Sequence, residues 1–192
     1  VTETSAAESG TRARTRRAII DAAVALLARN PGASMSDVAV EAGVGRTTVH
    51  RYFAERSELI TALTEEADRR VEEATERARL SDGAADQVLV RLCQEYFELG
   101  DWLTLMFTQS IQPDNEEFWT EEGGPAEEAL AELIMRGHRE GSIDDAMSPD
   151  WLSGLLWSLL FTAWAQVRAG TMNRHAATTH CLDTLRKIIR PR

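Results

Sequence analysis

Ser34–Phe53, SMSDVAVEAGVGRTTVHRYF, is the stretch on which the fold turns. Ser34 is a good helix N-cap, and Asp37 three residues later is placed to return a hydrogen bond, the reciprocal pairing of a capping box. Val38 and Ala39, then Ala42, share one side of this short element. Gly43 supplies the left-handed backbone that a sharp helix stop requires, Val44 plugs the angle that follows, and Gly45 opens the next segment. From Arg46 to Phe53 the spacing sets Val49 and Phe53 four apart on a buried side. Arg46, Thr47, Thr48, His50, Arg51 and Tyr52 are left for solvent or a partner. That outer set holds donors, hydroxyls and an aromatic but no carboxylate, which suits phosphate and base-edge contacts. The expected geometry is a helix-turn-helix with the second helix as reader, set against the alternative of an ordinary helical hairpin in a core.

The chain of 192 residues has a hydrophobic content of 43% and a formal charge of −10. An overall acidic balance argues against nucleic acid, because phosphate binding is driven by Lys and Arg. The distribution of charge reverses that inference. Residues 11–56 hold eight Arg (12, 14, 16, 17, 29, 46, 51 and 56) against Asp21, Asp37, Glu41 and Glu55, a net +4 that leaves −14 on the rest. A basic head on an acidic body orients a molecule on DNA. Cys93 and Cys181 have no metal or redox spacing and fall on apolar helical stripes, as buried thiols in a reducing cytoplasm do. The opening VTETSAAESG lacks the apolar core of a signal peptide. The longest apolar stretch, Leu152–Val167, is too interrupted by Ser153, Ser158, Thr162 and Gln166 to span a membrane.

Taken in order, Val1–Gly10 reads as a disordered acidic arm. Thr11–Arg29 reads as a helix with Ile20, Ala23, Val24 and Leu27 on one face, ended by Asn30-Pro31-Gly32. After a turn at Ala54–Ser57, a long helix over about 57–80 anchors through Leu59, Ile60 and Leu63. Beyond them it is charged nearly all round, as befits a solvent-exposed connector with i,i+4 pairs such as Glu65/Arg69, Glu66/Arg70 and Glu73/Arg77. Ser81-Asp82-Gly83 is a break. Helices are then expected over 84–100, 102–110, from Pro125 to Glu140 with Leu130, Leu133, Ile134 and Met135 inward, from Ser148 to Arg168, and over about 173–189. A turn is expected at Gln112–Asn115 and a helix start over Glu116–Trp119. No strand or internal repeat is apparent.

All five tryptophans lie in this second part. Tyr96, Trp102, Met106, Phe107, Trp119, Trp157, Phe161 and Trp164 are the candidate walls of an apolar or aromatic ligand pocket, and each is equally the kind of residue that fills a core. Leu152, Leu155, Leu156 and Leu159 cover more than one side of their helix, and Leu182, Leu185 and Ile189 stripe the next. A helix apolar on more than one face must be buried on more than one, so these seven are the candidate dimerisation residues. Two such helices from each of two subunits would form a four-helix interface.

Here the motif becomes specific. The run Ser34-x-x-x-Val38-Ala39-x-x-Ala42-Gly43-Val44-x-Arg46-x-Thr48-Val49-x-x-Tyr52-Phe53-x-x-Arg56-x-x-Leu59 resembles the DNA-binding signature of the TetR family of transcriptional repressors, over about 14–60. Gly45 stands where the family commonly has a capping Ser or Thr, and His50 where it commonly has Tyr. The resemblance implies an all-α fold: a three-helix helix-turn-helix DNA-binding domain (11–56) joined by a connector helix to a helical ligand-binding and dimerisation domain (57–192). It also implies a homodimer, a ligand pocket in the second domain and effector-controlled release from palindromic operators. Within that reading Arg46, Thr47, Thr48 and His50 face base edges, and Ser34, Arg51, Tyr52 and Arg56 take phosphates. The partners expected are therefore a double-stranded DNA operator, a second copy of the chain and a small-molecule effector, in the cytoplasm and away from membranes.

Catalytic motifs are missing: there is no Walker loop, GxSxG, HExxH or GxGxxG after a strand. His50, His138, His175 and His180 lack metal-ligand spacing, so neither an enzyme nor a resident metal or cofactor is expected. The rival readings are a small helical carrier or enzyme using the aromatic residues, and a DNA-binding adaptor that senses nothing.

Overall fold

The computed structural model describes residues 2–107 and 124–191, the backbone alone for 2–9. Among the described residues there are nine helices and no strand: α1 (Thr2–Arg29), α2 (Met35–Glu41), α3 (Arg46–Tyr52), α4 (Arg56–Arg77), α5 (Ala85–Phe97), α6 (Asp101–Phe107), α7 (Pro125–Glu140), α8 (Pro149–Arg168) and α9 (Arg174–Ile189). They fall into two compact units, one on the residues up to Ala67 with those from Leu105, the other on Asp68–Thr104 and the C-terminal helices.

In the first unit α1 buries Ile19, Ile20, Ala23, Val24, Leu27 and Ala28. It begins at Thr2, so the expected disordered arm is instead its first turns. Thr2–Gly10 contains good helix formers (Ala6, Ala7, Glu3, Glu8) and no proline, which lets the helix run on through Gly10. α2 starts on the predicted capping box: Asp37 N–H donates to Ser34 Oγ (3.2 Å), and the Asp37 carboxylate accepts the Ser34 backbone N–H (2.8 Å). These bonds hold the Asp37 carboxyl below the usual carboxylate range. Gly43 takes φ +64°, a backbone that costs a side-chain-bearing residue about 1 kcal/mol or more. Val38, Val49 and Phe53 close the core together with the fully buried pair Leu59 and Leu63. Truncating either to Ala would cost about 2–5 kcal/mol.

In the second unit α5 is central and packs on α7, α8 and α9. It contributes Val88, Leu89, Leu92, Cys93, Tyr96 and Phe97 to meet Leu130, Leu133 and Ile134 of α7, Leu152, Leu156 and Leu160 of α8, and Cys181, Leu182, Leu185 and Ile189 of α9. The two thiols touch across α5 and α9 at 3.7 Å, and the hydrogen bond to Cys181 together with burial pushes the Cys93 thiol well up. Met135, expected inward, is 40% exposed, because the apolar stripe of α7 follows Leu130, Leu133, Ile134 and Gly137 and turns away from it.

α4 corrects the expectation of a helix charged nearly all round. Ala67, Val71, Ala74 and Thr75, with Ala78 just past its end, are buried, a stripe of mostly small side chains. Its charges pair both along the helix and with other helices. Arg69 meets Glu73 at i,i+4, while Glu66 receives Arg17 (3.3 Å) and Arg77 reaches Glu95 on α5 (2.8 Å).

Candidate functional site

The outer face of α3 carries the chemistry read from the sequence. Arg46, Thr47, His50 and Arg51 are exposed, and Thr48 and Tyr52 half-buried. Val49 points inward and anchors the helix. Four acids of the same unit are engaged elsewhere: Asp21 with Arg17 (3.1 Å), Glu41 with Arg29 (2.8 Å), Asp37 at the N-terminus of α2, and Glu58 accepting the Ala54 N–H (2.7 Å). Carboxylates paired in this way compete less for the donors of α3. His50 lies 3.1 Å through Nδ1 from the Ala54 carbonyl, and since a carbonyl only accepts, Nδ1 carries the proton. In the neutral tautomer with that bond, Nε2 is the acceptor, the role that an exocyclic base amine requires.

Tyr52 bears two guanidiniums over its ring, Arg51 at 5.5 Å and Arg12 at 6.0 Å, and Arg16 stands 5.4 Å from the Phe53 centroid. Stacking of this kind orders long cationic side chains beside the reader. Arg12 and Arg16 belong to the basic run Arg12–Arg17 of α1, whose arginines the sequence already sets near the phosphates if this helix buttresses the reader. Ser34 commits its hydroxyl to the capping box, and Arg56 donates through Nη1 to the Ala33 carbonyl and through Nη2 to that of Pro31 (3.0 Å). Both shape the approach to α2.

In the second unit Tyr96 and Trp157 stack with centroids 4.7 Å apart and planes at 14°. Phe97 meets Trp164 edge-on at 5.5 Å, Arg70 lies 4.8 Å over Trp102, and Arg174 lies 5.6 Å over Trp164. Tyr96 is fully buried and its hydroxyl bonds to Thr75 Oγ1 at 2.7 Å. Burial pushes its phenol up to about 12, with the charge of Glu127 adding to the effect. Met106 and Phe107 are half-buried and fall with the first unit, Phe161 is 37% exposed, and Trp119 lies outside the described residues, as do Phe118 and the turn expected at Gln112–Asn115. An open groove of about 450 Å³ lies toward the other end of α5, between Asp86, Val90, Ser142, Arg186 and Ile189. None of the candidate ligand residues lines it, and its opposed charges are poorly suited to an aromatic guest.

Thr75 and Arg70 escaped the sequence reading because α4 looked uniformly solvated. So did two clamps on the end of that helix. Arg91 donates to the carbonyls of Ala78, Arg79 and Asp82 at 2.6, 2.9 and 2.9 Å, and Arg136 to those of Leu80 and Gly83 at 2.8 and 3.2 Å.

Of the seven candidate dimerisation residues, Leu152, Leu156, Leu182, Leu185 and Ile189 are buried inside the subunit, and Leu155 and Leu159 are half-exposed. Trp151, at 62% exposure, continues their line at i, i+4 and i+8 on the outer side of α8. Among the described residues no group of three or more His, Cys, Asp or Glu is placed to hold a metal ion, and no helix is long and apolar enough to cross a membrane.

Comparison with known proteins bears on this arrangement. The family model described as bacterial regulatory proteins, tetR family, matches residues 19–63. The chain is 37% identical over 179 residues to the HTH-type transcriptional repressor LfrR of Mycolicibacterium smegmatis, covering 93% of this chain and 92% of that protein. It is similar to the crystal structure of LfrR in complex with proflavine, with a TM-score of 0.74 at 34% identity over 93% of this chain and 98% of the other. PfmR from Thermus thermophilus, at 18% identity and a TM-score of 0.70 over 91% of this chain and 95% of its own, shares the fold.

Proposed function

The chain belongs to the TetR family of bacterial regulatory proteins, a ligand-responsive class of DNA-binding regulator, and from that premise we propose that it is a homodimeric repressor whose operator complex is dissolved by a flat aromatic cation of the proflavine kind. The observation that carries the reading is the donor-bearing face of α3, free of carboxylates, in a unit where Asp21, Asp37, Glu41 and Glu58 have partners of their own. Residues 11–56 serve as the DNA-binding domain and 57–192 as the ligand-binding and dimerisation domain, with α4 common to both.

In this reading Arg46, Thr47, Thr48 and His50 approach base edges, and Arg51 and Tyr52, with Arg12 stacked beside them, approach phosphates. Ser34 and Arg56 hold the loop and α2 in place. Dimerisation uses the outer side of α8, where Trp151, Leu155 and Leu159 remain after the core has taken Leu152, Leu156 and Leu160. The effector enters among Tyr96, Trp102, Trp157 and Trp164. A protein working on DNA by this route acts in the cytoplasm.

The test is selection of bound sequences from random duplex by the full-length protein, followed by fluorescence anisotropy on the selected site. Retention should fall linearly on a log–log plot against salt, with a slope of about −0.9 for each phosphate neutralised, and proflavine should release the duplex. No preference for any duplex at low ionic strength would refute the proposal.

A further inference from the structure

We propose that the Arg70 guanidinium is a built-in stand-in for the effector on the Trp102 ring, and that a planar aromatic cation acts by taking this ring face and expelling Arg70. The inference rests on the repressor reading above and concerns how the same site is occupied.

The rings taken above as the effector's contacts in the second unit are each packed on a partner. Tyr96 lies on Trp157, Phe97 and Trp164 form a T-shaped pair, and Trp102 is covered by Arg70 at 4.8 Å. A flat ligand must therefore displace something. Parting Tyr96 from Trp157 re-exposes two apolar surfaces, whereas an expelled guanidinium returns to water and recovers its hydration. Arg70 is half-buried, so its head has a path to solvent, while Trp102 is only 5% exposed. A desolvated ring is where a cation is held most strongly. The guanidinium is itself planar and delocalised. A flat delocalised cation replaces it in shape and in charge, so the exchange leaves no new charge in the unit.

Arg174 over Trp164 is the competing site and the weaker one. It stands farther off, at 5.6 Å. Arg70 has a further distinction, since it belongs to α4, the helix that runs on into the unit bearing the reader. Occupation of the Trp102 face thereby removes one lateral attachment of α4, which is the form a release signal must take in this fold.

The experiment measures proflavine binding by its own fluorescence, and operator release, for the full-length protein and its Arg70→Gln, Arg70→Lys, Arg174→Gln and Trp102→Leu variants. Arg70→Gln should bind the dye about 3- to 30-fold tighter because the resident competitor is gone. Arg70→Lys should stay within about threefold of wild type, Arg174→Gln should match wild type, and Trp102→Leu should bind about tenfold more weakly. On the wild type alone, acridine, uncharged in mildly alkaline buffer, should bind at least about tenfold more weakly than proflavine, a comparison that needs no variant to fold. An operator complex that proflavine leaves intact would strike the repressor reading. A dye-responsive wild type whose folded Arg70→Gln variant binds no tighter, or which takes acridine as readily as proflavine, would overturn the exchange alone.

Discussion

Thr75 and Tyr96 offer a sharp test of how the second unit holds α4. Thr75 Oγ1 donates to the Val71 carbonyl (2.8 Å), so its single proton is committed and the Tyr96 hydroxyl must be the donor across the 2.7 Å bond to Thr75. Both groups are buried, at 8% and 0% exposure. Tyr96→Phe keeps the ring on Trp157 and removes only the donor. Thr75 retains its bond to Val71, so the loss should be about 1 kcal/mol. Thr75→Val, nearly isosteric, strands the phenol O–H where no water replaces the acceptor and should cost about 1–3 kcal/mol. Removing both partners should cost much less than the sum, a coupling of about 1–2 kcal/mol. Urea unfolding of the four proteins, followed by circular dichroism, measures the cycle. Additivity within about 0.5 kcal/mol, or a larger loss for Tyr96→Phe than for Thr75→Val, would refute the assigned direction of the bond. Thr75→Val should also change the proflavine concentration that half-releases the operator, because it weakens one attachment between α4 and the aromatic cluster.

Tyr96 also sets a pH window. Its folded value near 12 lies above the ordinary 10, so the neutral phenol is the favoured form and the associated stability is complete below pH 10 and lost between 10 and 12. Wild type should therefore lose about 2–3 kcal/mol more than Tyr96→Phe across that window, and parallel stability profiles would count against it. Gly137→Ala, which in an ordinary helix interior gains about 0.5–1 kcal/mol, should instead destabilise by about 1–3 kcal/mol. A Cβ there would sit 2.4 Å from Ile143 Cδ1 and 2.9 Å from its Cβ; Ile143→Val should recover part of the melting temperature, and a stabilised single variant would contradict the geometry. Arg51→Ala should weaken binding to every duplex and flatten the salt slope by about 1 without lowering the melting temperature, while Thr47→Ala relaxes sequence preference. Arg56→Ala should lower the melting temperature as well as the affinity, since the Pro31 and Ala33 carbonyls lose their donor.

The helix-turn-helix was legible because each of its decisions is local. A capping box needs two residues three apart, the stop needs a residue tolerant of positive φ at Gly43, and the inward Val49 and Phe53 are one turn apart. The same holds for α5, α7, α8 and α9, whose ends lie within a few residues of those read from capping and periodicity. What periodicity does not carry is which of two apolar faces a helix turns inward. α8 is apolar nearly all round; its core takes Leu152, Leu156 and Leu160, and the outward residue with the greatest exposure is Trp151, not one of the leucines first chosen for the interface. α4 was misread for the opposite reason. Its charged residues dominate any average, and the buried line of Ala67, Val71, Ala74 and Ala78 is visible only when small residues are counted as packing residues. Arg91 and Arg136 lay beyond local reading, because their acceptors are as far as 56 positions away.

Those arginines explain why the middle of α4 is where control can be exerted. The helix begins at Arg56, whose guanidinium grips Pro31 and Ala33 in the first unit. Its far end is gripped in the second unit by Arg91 and Arg136, through the carbonyls of five residues from Ala78 to Gly83. Cations at a helix C-terminus also sit favourably in the field of its exposed carbonyls. Hydrogen bonds from a charged donor contribute about 1.5–3 kcal/mol each, against about 1 kcal/mol for a neutral pair such as Thr75 and Tyr96. An effector that distinguishes two states by a few kcal/mol therefore has enough free energy to remove the central links, Arg70 on Trp102 and Thr75 on Tyr96, and too little to undo either end. Under that hierarchy α4 must respond as one rigid piece. Weakening a terminal clamp, as in Arg91→Ala, should blunt effector control even though Arg91 touches neither DNA nor the aromatic cluster.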